Sequence, residues 1–136
     1  MTKKIIRTTE APAPVGPYNQ AIAVRGTTIY VAGQIPLHPQ TAEVVGVGDI
    51  ALQTQQVMDN IGAILKAAGA NYEDIVKTTV YLSNLDNFIP MNRVYAQFFT
   101  PATAPTRACV EVSRLPKDVL VEIECLAVVE DIPVVS

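Results

Sequence analysis

The sequence predicts an α+β fold, a mixed sheet of about six short strands with two helices on one face. Two segments carry apolar residues at helical spacing, and short runs rich in Val, Ile and Thr surround them. The elements follow one another as strand, strand, strand, helix, strand, helix, strand, strand. Two helices can cover only one face of such a sheet. The last strand is apolar on both of its sides, so the second face calls for a partner. A homo-oligomer with sheet faces turned inward is the economical expectation.

With no linker-like break in 136 residues, the chain reads as a single domain, 1–136. Folding at this length buries about two thirds of the unfolded surface, enough for a real core. Hydrophobic residues make up 49% of the chain and charged ones 17%, a surplus that again directs apolar surface into an oligomer contact. The formal charge is −3 and the cations are scattered, densest at Lys3, Lys4 and Arg7, which argues against nucleic acid as a main partner. No run has the length of a signal-peptide core or a membrane span, so no membrane association and a cytoplasmic location are expected.

In chain order, Lys3–Arg7 is a short edge strand. Pro12, Pro14, Gly16 and Pro17 keep the next loop irregular but stiff, which suits a segment that presents Tyr18. Ala21–Val24 and Thr28–Ala32 pair as a hairpin about Arg25–Thr27. Gly33 then marks either a positive φ or a place where another group approaches the backbone. Leu37–Gly48 is a loop with a short strand at Glu43–Val45, and His38 beside Pro39 is expected to be exposed. Asp49 caps a helix that reaches about Ala68. Its stripe of Ile50, Val57, Met58, Ile61, Ile64, Leu65 and Ala68 is core packing, and Gly69 stands at the C′ position. Val76–Leu82 is a strand. A second helix runs from about Asn87 to Thr100, capped from Asn84 or Asp86, buried through Phe88, Met91, Tyr95, Phe98 and Phe99, and stopped by Pro101. Asn92 lies off the centre of that stripe and reads as an ordinary exposed polar residue.

The most informative stretch is Ala104–Glu124, APTRACVEVSRLPKDVLVEIE. Arg107–Val112 and Val119–Val129 read as two strands of a hairpin joined by Ser113–Asp118. Matching Ala108, Val110 and Val112 with Val119, Val121 and Ile123 on one face sets Arg107, Cys109 and Glu111 with Leu120, Glu122 and Glu124 on the other. Cys109 then lies opposite Glu122. Carboxylates on an otherwise apolar, covered face need a partner, and Arg107 is the obvious one. Two readings stay open on this ground: a structural ion pair at a subunit contact, or a site. Cys125 falls on the face opposite Cys109, so both thiols are expected to be free, as in a reducing compartment.

Phosphate-binding GxxxxGK[ST] and GxGxxG patterns are missing. With His38 as the one histidine and no CxxC, neither structural zinc nor a histidine-activated nucleophile has a basis. Arg107 with Glu122 remains. An arginine fork binds a carboxylate bidentately, and a carboxylate nearby can hold and activate a water. The pair suits a small carboxylic acid undergoing hydrolysis or proton transfer.

In this stretch, and in GPYNQA at Gly16–Ala21, AGQIP at Ala32–Pro36, DNIGAILKAAG at Asp59–Gly69 and IVKTTVYL at Ile75–Leu82, the chain resembles the RidA/YjgF family of reactive-intermediate (enamine/imine) deaminases over nearly its whole length. The resemblance implies a chorismate-mutase-like α+β fold assembled as a homotrimer with clefts between subunits. It implies hydrolysis of 2-aminoacrylate, 2-iminobutanoate and related 2-imino acids to 2-keto acids and ammonia, with no metal or organic cofactor. On the matching positions, Arg107 holds the substrate carboxylate, Glu122 positions the attacking water, and Tyr18, Gly33, Asn92 and Cys109 line the pocket. The chain departs from the pattern at Ala32, where many members carry serine, and in the tail after Val129, which runs past the usual end. Two other classes stay open: a non-catalytic sensor of small keto or amino acids, and a ribonuclease, translation-inhibitor or chaperone-like role. The acidic balance weighs against RNA, and the presence of both Arg107 and Glu122 favours an enzyme.

Overall fold

A computed structural model describes residues 3–130. Its strands are β1 (Lys3–Ile6), β2 (Ala21–Val24), β3 (Thr27–Gln34), β4 (Ile75–Leu82), β5 (Thr106–Glu111) and β6 (Val121–Val129), and its helices are α1 (Ile50–Ala67) and α2 (Phe88–Tyr95). The class is α+β. The strands do not form one continuous sheet: β1 and β2 make a separate antiparallel ribbon, and the other four make a mixed sheet in the order β3-β6-β4-β5. Both helices pack on one face of that sheet. Val121, Ile123, Cys125 and Ala127 of β6 alternate onto that face, where they meet Val57, Met58, Ile61 and Leu65 of α1 and Met91 and Tyr95 of α2.

The first helix forms as its sequence dictates. The Asp49 side chain accepts from the Leu52 N–H at 3.1 Å, and Gly69 leaves the helix at a φ of +77°. The second is shorter than its apolar spacing predicts. It ends at Tyr95, and a 3₁₀ turn over Ala96–Phe98 tightens the chain. Phe98 then packs on Tyr72 and Phe99 on Tyr95, with ring centroids 5.0 and 4.8 Å apart, so the last aromatics wrap the end of the helix instead of extending its stripe. The expected strand at Glu43–Val45 is reduced to a single bridge between Leu37 and Val44.

Two strand pairings differ from the sequence reading. β2 pairs with β1 and β3 with β6, so the expected hairpin between β2 and β3 does not form. Gly26, at a φ of +146°, swings the chain from ribbon to sheet where a Cβ would run into the Val129 carbonyl. More consequentially, β5 is not paired with β6. It runs parallel to β4, from Lys77↔Thr106 to Leu82↔Glu111, while β6 lies antiparallel on the other edge of β4. The connector between them is anchored by buried Leu115 and Val119 and bends through positive φ at Lys117 and Asp118. It is therefore long and shaped enough to carry the chain past the end of β4.

That crossover inverts the predicted face of β5. Arg107 lies level with Thr78, and Thr78 with Cys125; Cys109 lies level with Val80, and Val80 with Ile123. Arg107, Cys109 and Glu111 thus share the helix-covered side of the sheet. Glu122 and Glu124 are level with Tyr81 and Thr79 on the open side, together with exposed Ala108 and Val110. Cys109 and Cys125 share a face rather than opposing each other, with β4 between them, and both thiols are free. Among the described residues no helix is long and apolar enough to cross a membrane. The tail left without a role lies, from Asp131 on, outside the described residues.

Candidate active site

Each face of the sheet carries one cluster of the expected site residues. On the covered side Arg107 projects from edge strand β5 beneath α2. Its Nη1 donates to Asn92 Oδ1 at 2.5 Å. Its Cζ stands 5.0 Å from the ring centroid of Tyr95, 5.4 Å from Phe88 and 5.8 Å from Tyr18. A cation over ring faces is attracted by their quadrupoles. None of the described carboxylates forms an ion pair with Arg107, so the predicted Arg107–Glu122 pairing is absent within one chain. Phe88, Asn92 and Tyr95 fall at i, i+4 and i+7 of α2, which puts all three on one face. Asn92 is thus half-buried against the arginine instead of lying exposed.

The loop that presents Tyr18 is stiff for more reasons than its prolines. Gln20 accepts from the Thr8 N–H at 2.7 Å and donates to the carbonyls of Thr8, Ala11 and Pro12 at 3.1, 3.3 and 2.7 Å. Buried Asn19 donates to the carbonyls of Pro101 and Ala104 at 3.1 and 2.8 Å and accepts from Arg7. Gly16 passes so near the guanidinium that a Cβ there would stand 3.3 Å from Arg107 Nη2. Cys109, two residues along from Arg107, is half-buried against the core. Burial pushes its thiol pKa up, with the Arg107 charge opposing, so the sulfur is a neutral thiol at pH 7.

On the open side, Glu122 lies beside Gly33, at the register break between Val31 and Gln34 of β3. A Cβ on Gly33 would collide with the Glu122 carboxylate, and Gly33 is not among the positive-φ glycines. Close approach, the second of the two readings of this glycine, is therefore the one realised. Farther along β6, Glu124 accepts from the Tyr81 hydroxyl at 2.7 Å, and this hydrogen bond raises the Tyr81 pKa. Tyr30, Ala32, Lys77, Thr79, Glu124 and Leu126 help to line a shallow cavity of about 390 Å³ on this face.

Two other residues singled out by sequence have structural partners. Glu111 accepts from the Leu85 N–H at 2.8 Å and so caps the turn into α2. His38 is half-buried rather than exposed, and its Nδ1 accepts from the N–H groups of Gln40 and Thr41 at 3.2 and 3.4 Å. Among the described residues no group of His, Cys, Asp and Glu could hold a metal ion. By sequence alone Phe88 and Tyr95 read as core. Their spacing from Asn92 was the available signal that they also face Arg107.

Residues 8–129 match the model of the family described as Endoribonuclease L-PSP. A RutC family protein of Synechocystis sp. is 57% identical over 94% of this chain and 98% of its own length. The 2-iminobutanoate/2-iminopropanoate deaminase of Escherichia coli is 50% identical over 92% of this chain and 97% of its own length. The crystal structure of Escherichia coli TdcF with bound serine superposes with a TM-score of 0.70 at 45% identity, covering 93% of this chain and 99% of that one. The chain belongs to the endoribonuclease L-PSP family, the RidA/YjgF family that its motifs resemble.

Proposed function

We propose that the protein hydrolyses small reactive 2-enamine and 2-imino acids, 2-aminoacrylate (through its imine tautomer) and 2-iminobutanoate among them, to 2-keto acids and ammonia. The observation that carries this reading is the state of Arg107. It is held by an amide and by ring faces instead of a carboxylate, so its charge and remaining N–H groups stay available to a substrate carboxylate. The deaminase named for this activity, 50% identical over nearly its whole length, supports the same chemistry. The serine bound to TdcF is a small amino acid with the carboxylate such a clamp needs.

Glu122 lies on the other side of the sheet from Arg107, so one copy does not bring the two together. A homotrimer completes the cleft if the open face of one copy covers the Arg107 side of the next. Arg107, Cys109, Asn92 and Tyr18 then come from one subunit, and Gly33 and Glu122 from its neighbour. Tyr30, 78% exposed, and Val110, 43% exposed, give the open face apolar surface to bury in such a contact. In the cleft, Arg107 orients the substrate by its carboxylate. Glu122 accepts a proton from water as the oxygen adds to the imine carbon, and the resulting carbinolamine carries a new C–O bond. That proton passes to nitrogen. Glu122 then takes the hydroxyl proton of the carbinolamine and delivers it to nitrogen as the C=O bond forms, the C–N bond breaks, and ammonia and the 2-keto acid leave. No electrons are transferred.

The test generates 2-iminobutanoate with a dehydratase and follows keto-acid formation with and without this protein. Acceleration is expected. Keto-acid binding without acceleration would leave a sensor in place of an enzyme. Mixing Arg107→Ala and Glu122→Gln subunits tests the shared cleft: in random trimers about a quarter of the clefts hold both native residues, and activity returns to that extent. If mixing restores nothing, the cleft is not shared.

A further inference from the structure

We propose that Tyr95 is a positioning residue whose ring, locked in place by Thr78, sets the direction in which Arg107 offers its guanidinium. The inference rests on the reading of Arg107 as a carboxylate clamp. Thr78 and Arg107 are register partners on β4 and β5, and Tyr95 closes over both from α2. A buried tyrosine needs a partner for its hydroxyl. Here the Tyr95 and Thr78 hydroxyls share a hydrogen bond of 2.8 Å, with the two residues 0% and 1% exposed. That bond ties one end of the ring to the sheet, and Phe99 packs on it from the side. The ring then meets the guanidinium at 5.0 Å, Phe88 adds a second aromatic wall, and Asn92 takes one arm of the fork.

This arrangement solves a specific problem. A carboxylate in the place of Tyr95 would hold the arginine equally well but would compete with the substrate for its charge. A ring engages the charge without taking up the N–H donors, so the fork is held and still free to donate. Thr78 and Tyr95 touch neither substrate nor water in this scheme; they act through Arg107.

The experiment uses the full chain carrying Tyr95→Leu, Tyr95→Phe or Thr78→Val, with fold and oligomer verified. Three quantities are read: the Nε–Hε resonance of Arg107, the split between KM and kcat for imine hydrolysis, and the affinity for 2-oxobutanoate. Ring currents place the wild-type Hε upfield of an ordinary arginine. Tyr95→Leu moves it back and raises KM about tenfold, the equivalent of one desolvated cation–π contact, with kcat little changed. Tyr95→Phe keeps the ring but loses its tie to Thr78, so the resonance stays upfield by a smaller amount and KM rises less than in Tyr95→Leu. Thr78→Val leaves the buried Tyr95 hydroxyl unpaired and lowers Tm, and adding Tyr95→Phe recovers part of that loss because the orphaned hydroxyl is gone. Should Tyr95→Leu fail to fold, Phe88→Leu at its half-buried position replaces it and shifts the resonance in the same direction. An ordinary Hε in the wild type, or unchanged Hε and KM in a folded Tyr95→Leu, overturns the proposal. A shifted Hε in a protein that neither hydrolyses imines nor binds the keto acid leaves the cage standing and removes the deaminase reading.

Discussion

The covered and open faces of the four-stranded sheet are made from alternate residues of the same strands, yet they treat polar groups in opposite ways. On the covered face Thr78, Tyr95 and Cys125 are dry: the first two satisfy each other, and burial pushes the tyrosine and the Cys125 thiol up to about 12. On the open face Lys77 is exposed, and Tyr81, Glu122 and Glu124 are all partly accessible. A dry face can fix the direction of a single charged group, which is what the clamp role proposed for Arg107 calls for. A more accessible face leaves a carboxylate within reach of water, which is what the role proposed for Glu122 calls for. Chemistry that needs both is better divided between faces than crowded onto one.

Substitutions that remove either half test this division most severely. Arg107→Ala should lower kcat/KM for imine hydrolysis by about a thousandfold, the cost of losing both arms of a charged fork, while size-exclusion shows the oligomer intact. Arg107→Lys should recover little, since one ammonium cannot reproduce the fork. Retained activity would remove the clamp. Next in size, Glu122→Gln should cost about a hundredfold in kcat, with calorimetry showing keto-acid affinity preserved. An unchanged kcat would take Glu122 out of the mechanism. Gly33→Ala should displace the Glu122 carboxylate and lower kcat about tenfold with little loss of Tm, because the clash is with a side chain and not with the core. Wild-type kcat in that variant would show that Glu122 has room to spare.

The smallest effect separates the faces by pH. In the unfolded chain the Cys125 thiol ionises near 9.0, and in the folded protein only near 12, so above pH 9 the unfolded state releases its proton first. Stability is therefore lost as pH rises from 9 toward 12, and Tyr95 adds to the loss above its ordinary value of 10.0. Urea midpoints between pH 8 and 10.5 should fall in the wild type, and fall less in Cys125→Ala. Identical slopes would mean that the covered face is wetter than its packing indicates.

The parts of the fold legible in sequence were those written locally. For α1, the Asp49 cap, the apolar stripe and Gly69 all lie within the segment they specify. The β5–β6 pairing was misread because alternation of period two fits a hairpin and a crossover equally well. Ser113–Asp118 reads as polar, but Leu115 within it is buried, and the flanking Val112 and Leu120 hydrogen-bond to Leu82 and Ser83 at the end of β4. Matching Ala108 and Val110 to Val121 and Ile123 then paired residues of strands that are not neighbours, and so put Arg107 on the wrong face. The residue types of the candidate site were legible, and the family resemblance assigned them roles. Their division between two faces was not, because it depends on which strand lies between β5 and β6.

Gln20 has a consequence for how a ligand would be received. By tying down Thr8, Ala11 and Pro12 with four hydrogen bonds, it orders the approach to Tyr18 while the chain folds. The entropy of that segment is spent before any ligand arrives. Ligand capture is then expected to lack a loop-closing step, appearing as a single association phase whose heat-capacity change reflects the apolar area that ligand and site bury, with no added contribution from ordering this loop.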